Sequence, residues 1–98
     1  MQVYVVVSRY MVGVQDCAIY DNRESALKHI EGNEIGGNPD VIKLEVFGEL
    51  EKDNHVFTSS YYDPSHDSHI LEGIYGNYEN AKSASGEKGL VLGRDIYS

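Results

Sequence analysis

The stretch Ile19-Tyr20-Asp21-Asn22-Arg23-Glu24-Ser25-Ala26 returns in the second half of the chain as Ile74-Tyr75-Gly76-Asn77-Tyr78-Glu79-Asn80-Ala81. In each copy an apolar β-type run stops at Tyr, and Asn follows where it can cap a helix. A Glu occupies the first helical turn, and Ala comes one turn on. Such a recurrence implies two copies of one folding unit, spanning residues 1–50 and 54–98. With 98 residues the chain suits one domain that buries roughly 60–70% of its unfolded surface without a disulfide or structural metal.

The chain order around the repeat supplies the other elements. Val3-Tyr4-Val5-Val6-Val7 is β-branched and aromatic throughout, which is strand chemistry. It lacks the polar alternation of a strand with one wet face. A turn at Met11-Val12-Gly13 leads into a second strand, Val14 to Tyr20. Asn22 caps a helix through Glu31, with Ala26, Leu27 and Ile30 inward and Gly32 ending it. Asn33 to Asp40 is a loop by composition, and Val41 to Leu50 a strand. The second unit repeats the order, with strands Val56 to Tyr62 and Ile70 to Tyr75, a helix from Asn77 to Ser85 stopped by Gly86, and a strand from Leu90 to Ile96. Its hairpin is longer, and the insertion falls at the Asp63-Pro64 turn.

The fold class expected is α+β: two ββαβ repeats forming a mostly antiparallel sheet of up to six strands, with two helices on one face. Two helices cannot cover both faces of such a sheet, yet neither face of Val3 to Val7 is polar. A homodimer or a docked partner protein on the second face is the expectation that follows.

Charge narrows the functional classes. Sixteen Asp and Glu against eight Lys and Arg give a net charge of −8 and a pI near 4.8. That field repels a phosphate backbone, so direct nucleic-acid binding is not expected. Cys17 is the only cysteine, which leaves no intrachain disulfide and no cysteine zinc cluster, and reads as a small strand hydrophobe. No apolar run has the length of a membrane helix, and a cytoplasmic location is expected.

The polar cluster Tyr61-Tyr62-Asp63-Pro64-Ser65-His66-Asp67-Ser68-His69 is the densest in potential chemistry. Its placement in a turn does not make His66 and His69 converge, and a metal would need Asp63 or Asp67 as a further ligand. A Ser-His-Asp relay fits poorly in so short a turn. No catalytic residue, metal or cofactor is therefore expected. A hydrolase built on His66 and His69 is the weakest alternative. Tyr61, Tyr62, His66 and His69 remain candidates for a ligand or interface site. Gly32-Asn33-Glu34-Ile35-Gly36-Gly37 follows a helix and carries Glu34, the reverse of a phosphate-binding loop. His29 and His55 are isolated. The acidic residues Glu45, Glu49, Glu51 and Asp53 form a negative stripe that suits the basic groove of a nucleic-acid-binding protein.

Val3-Tyr4-Val5-Val6-Val7, the segment Ala18 to Ala26 and the strand Ile42-Lys43-Leu44-Glu45-Val46 together resemble the small ββαβ proteins common in bacteriophage genomes. Those open with Tyr-Val-Val and carry Val-Phe-x-Ser-x-Glu-x-Ala at the strand-to-helix junction; here Tyr20 replaces Phe and Asn22 replaces Ser. The likeness covers the first fifty residues and, more faintly, the second half. It transfers no catalytic residue. It implies a non-enzymatic acidic inhibitor that binds a host protein in the host cytoplasm, such as a defence complex, in the manner of an anti-CRISPR. The alternative is a dimeric small-molecule or nucleotide-binding module using Tyr and His.

Overall fold

The computed structural model describes residues 1–10, 13–33 and 37–98, with side chains throughout these except at 10 and 13–17. The expected turn at Met11 and Val12, the Glu34–Gly36 part of the glycine-rich loop and the Cys17 side chain lie outside the described residues. The order of elements is β1 (Gln2–Tyr10), β2 (Gly13–Tyr20), α1 (Arg23–Gly32), β3 (Asn38–Phe47), β4 (His55–Asp63), β5 (Ser68–Tyr75), α2 (Tyr78–Ser85) and β6 (Leu90–Tyr97).

Both helices start as the repeat implies. Asn22 Oδ1 accepts from the Ser25 N–H at 2.8 Å, and Asn77 Oδ1 accepts from the Asn80 N–H at 2.9 Å, each satisfying a donor that the first helical turn leaves unpaired. Helix α2 stops at Gly86, whose φ of 76° is open to glycine, and its N–H donates to the Lys82 carbonyl.

The strands correct the expected open sheet. They close into a barrel in the order β1-β2-β6-β4-β5-β3. Strand β1 pairs antiparallel with β2 and β3, and β4 does the same with β5 and β6. Two short parallel seams join these triplets, Ile19↔Ile96 with Tyr20↔Tyr97 and Val46↔Ile74 with Phe47↔Tyr75. Bulges occur at corresponding places, between Val6 and Val7 opposite Ala18 and Asp16, and between Ser59 and Ser60 opposite Gly73 and Leu71. A bulge adds local twist and bends its strand, which helps a sheet this small to curl shut.

Closure also answers the question of the second face of β1. Val3, Val5 and Val7 point inward and pack with Ile19, Val46, Val56, Ile74 and Ile96. Val6, on the outer side, packs with Ala18, Ala26 and Val41, with Tyr4 and Ile30 alongside. Helix α1 is thus the cover, and the reason for expecting a dimer or partner on that face disappears. The helices do not share one face of an open sheet, because each lies against the strands of its own unit.

Strand β3 begins earlier than its composition suggests, at Asn38 rather than Val41, since Asn38, Pro39 and Asp40 pair with Arg9, Ser8 and Val7. Pro39 is tolerated because the other edge of β3 is paired only at Val46 and Phe47. The strand ends at Phe47, where Gly48 turns the chain at φ 78°.

Gly76 stands where Asp21 stands in the first unit. A Cβ there would lie 2.3 Å from the Glu49 carbonyl oxygen, because the β3–β4 connector crosses it and the Glu51 N–H donates to the Gly76 carbonyl at 3.0 Å. Asp21 is exposed. Gly76→Ala is expected to destabilise by about 1–3 kcal/mol, read by urea unfolding, since backbone rather than a flexible side chain must move. On β4, Ser59 occupies the position of Val6, fully buried, and among the described residues its hydroxyl has no hydrogen-bond partner. Ser59→Ala is expected to raise stability by on the order of 1 kcal/mol in the same measurement, because a desolvated, unpaired hydroxyl is removed.

Candidate functional site

Strand alternation divides the residues of the β4–β5 hairpin. Ser60 and Tyr62 share the inner face of β4, whereas Tyr61 points the other way and is exposed. Pairing across the hairpin sets His69 opposite Tyr62, with their rings 5.4 Å apart. The Tyr62 hydroxyl donates to Asp67 Oδ1 at 2.5 Å, and this bond to a carboxylate raises the phenol's pKa. His69 Nε2–H donates to the Lys88 carbonyl at 3.2 Å, which places its proton on Nε2 in the neutral ring. Tyr62, Asp67 and His69 therefore form one connected group, tied through His69 to the segment that leads into β6.

His66 does not join it. Its Nδ1–H donates to Asp63 Oδ2 at 2.9 Å on the exposed turn, and this hydrogen bond holds the Asp63 carboxyl below its ordinary pKa. The Ser65 N–H adds a donor to the same carboxylate at 3.0 Å. The turn thus separates the two histidines, and the four aromatic and imidazole candidates, Tyr61, Tyr62, His66 and His69, do not form a single site. Among the described residues, no group of three or more His, Cys, Asp or Glu is placed to hold a metal ion.

The acidic stripe is also divided. Glu45 receives the Met1 amino group at 2.9 Å. Glu51 Oε1 accepts from the Tyr78 N–H at 3.0 Å and so adds a carboxylate to the N-terminus of α2. Glu49 and Asp53 are exposed along the connector. Beside Glu49 the parallel seam presents a feature the charge pattern does not reveal. Phe47, 55% exposed, lies 5.6 Å from the Tyr75 ring, and the Tyr75 hydroxyl donates to Glu72 at 3.0 Å. Desolvation, then the bond to Glu72, raises the Tyr75 pKa. The other seam repeats the arrangement with Tyr20 and Tyr97 5.8 Å apart, Tyr97 being equally exposed.

A depression of about 360 Å³ opens on the inner face of the second unit, bounded by Ser60, Asp67, Ser68, His69, Leu90, Leu92 and Arg94. Leu90 and Leu92 are both more than two-fifths exposed. Sequence reading missed these β6 residues, although the alternation of Leu90, Leu92 and Arg94 with Val91 and Gly93 marks them as one face.

No protein family matches the chain, and no curated protein and no solved structure matches it. Among the described residues no helix is long and apolar enough to cross a membrane.

The Asp63–His66 contact makes a checkable prediction. A lowered carboxyl pKa contributes stability that is present above the unfolded value and lost as the pH falls through the folded one. In His66→Ala the Asp63 carboxyl is expected to titrate at higher pH than in the parent, followed by carbon-detected NMR. An unchanged midpoint would show that the imidazole does not hold it down.

Proposed function

We propose that the chain is a non-catalytic, acidic binding protein that docks on a basic surface of another protein and blocks it. The observation that carries this is the exposed Phe47 ring, backed by Tyr75, whose hydroxyl donates to Glu72, and followed two residues on by exposed Glu49, in a chain of net charge −8. Interface centres are enriched in aromatic side chains, while surrounding charge steers the encounter and excludes like-charged partners. The Phe47–Tyr75 pair serves as the anchor, and Glu49 and Asp53 on the adjoining connector supply the negative rim.

A basic surface of this kind is what a nucleic-acid-binding protein offers to phosphates, so the partner we propose is such a protein or a host defence complex. The resemblance to small phage proteins supports the same reading, and the encounter we propose is in the host cytoplasm. Glu45 and Glu51 contribute to the field but are held by the chain's own amino terminus and by α2. Their role in the docking is secondary.

The test is capture of the tagged protein's partner from bacterial lysate at low and high salt, with Phe47→Ala and a Glu49→Lys/Asp53→Lys double variant alongside. One stoichiometric protein is expected, lost at high salt because exposed charges are screened. Phe47→Ala is expected to weaken its binding by about tenfold or more, as truncation of an interface anchor does. Binding that survives salt and both variants would remove the seam and connector from the function.

A further inference from the structure

Each parallel seam is only two residues long, and the strands it joins have no partner on that side beyond it. Strand β6 pairs with β4 from Leu90 to Asp95 but with β2 only at Ile96 and Tyr97. The Ile96 N–H donates to the carbonyl of Asn54, just before β4, whereas the Tyr97 carbonyl accepts from the N–H of Asp21, just after β2. Main-chain groups alternate from side to side along a strand, so those of Val91 and Gly93 face away from β4, on the same side as those of Tyr97. Among the described residues no strand pairs with them there.

Strand β3 is the counterpart of β6, with Val46 at the position of Ile96, and its edge toward β5 is likewise unpaired before Val46. That edge is guarded. Pro39 offers it no N–H, and Asp40, Lys43 and Glu45 put charge along it, the usual means by which an exposed edge resists pairing with other chains. On β6 the residues equivalent to Asp40 and Lys43 are Leu90 and Gly93, and the run Gly89 to Gly93 holds neither a charge nor a proline. Leu90 and Leu92 are 41% and 42% exposed and border the depression of about 360 Å³ on the inner face. A peptide strand laid along this edge gains ladder hydrogen bonds from Val91 and Gly93 and apolar contact with Leu90 and Leu92.

We infer that the β6 edge from Leu90 to Gly93 is a docking site for an extended segment of another protein, alternating apolar and basic residues, which adds to it as an antiparallel strand. The apolar residues of the segment lie on the inner face opposite Leu90 and Leu92, and the basic ones on the outer face opposite Val91 and Gly93. A second copy of the chain is the other candidate for an open edge, and charge decides against it. Each copy brings a net charge of −8, which repels a like copy and attracts a basic segment. The edge belongs to β6 and the Phe47–Tyr75 pair to β3 and β5, so the inference stands or falls apart from the function proposed above.

The probe is a blocked heptapeptide of alternating lysine and valine, lysine at both ends, titrated into the full chain and followed by NMR and amide hydrogen exchange. Saturable binding is expected, with the largest amide shifts along β6 and slowed exchange at Val91 and Gly93. In the antiparallel pairing the lysine N–H groups of the peptide face β6 and the valine ones face away. Methylating the lysine main-chain nitrogens is therefore expected to weaken binding by about tenfold or more, and methylating the valine nitrogens far less, at equal charge. The analogue with glutamate for lysine should not bind. Leu92→Glu makes the chain more acidic, so the loss of about tenfold expected in this variant, with its thermal unfolding transition kept, reports the missing apolar contact rather than charge. Absence of binding, equal binding of the two methylated peptides, or shifts centred elsewhere would overturn the site, as would unchanged affinity in folded Leu92→Glu. Exchange at Val91 and Gly93 that slows with protein concentration alone would overturn it in favour of a second copy. Should Leu92→Glu fail to fold, the methylated peptides decide the matter on their own.

Discussion

Closure of the ring depends on two parallel contacts, each only two residues long. Ile19 with Ile96 and Val46 with Ile74 put four branched side chains into one core, and the adjoining main chain locks each seam, Asp21 N–H to the Tyr97 carbonyl and Gly76 N–H to the Phe47 carbonyl, both at 2.8 Å. Without the seams the triplets β3-β1-β2 and β6-β4-β5 would each expose an apolar inner face and two open edges, which is an association hazard. With them, one core serves both units, and neither unit could bury its inner face alone. The aromatic pairs outside the seams follow from the same geometry, because residues next to Ile19, Val46, Ile74 and Ile96 must point outward.

This dependence explains what could be read from the chain and what could not. Caps, helix lengths and most strands were legible because they are local: Asn22 and Asn77 need only the next three residues to act. Ring closure was not, since a two-residue parallel contact leaves no periodic trace, and the run Val3 to Val7 of β1 fits a buried central strand as well as a barrel stave. The same ambiguity made an external partner look necessary where α1 does the covering. At the hairpin, alternation alone separates Tyr61 from Tyr62, a signal present in the sequence. The pairing of His66 with Asp63 rather than with His69 is set by turn geometry that spacing does not encode. Phe47 alternates in sequence with Val46 onto the face of Lys43 and Glu45, and only the seam shows it paired with Tyr75.

The divergence of the two units is informative because their frameworks coincide. Where a difference has a structural cause, the cause is visible: Gly76 replaces Asp21 because the connector crosses it. His55 bonded to Asp95 takes the place of Gln2 beside Glu45, and Tyr78 against Phe57 the place of Arg23 over Tyr4, so these outer contacts are exchanged for others of similar reach. Ser59 is different in kind, a buried hydroxyl where Val6 packs, with no partner among the described residues to compensate.

Charge is divided in a similar way. Of the stripe Glu45, Glu49, Glu51 and Asp53, two members bind parts of the chain itself, so net charge overstates what remains for a partner. Exposed ion pairs such as Arg9 with Asp40 and Lys28 with Glu24 contribute little to stability individually. What the acidic excess does retain is a long-range field, and a field needs an anchor to become a specific contact. The ring cannot close without turning Phe47 and Tyr97 outward, and on the function proposed above Phe47 is the anchor for that field. The exposed aromatic pairs thus require no structure beyond that which holds the barrel together.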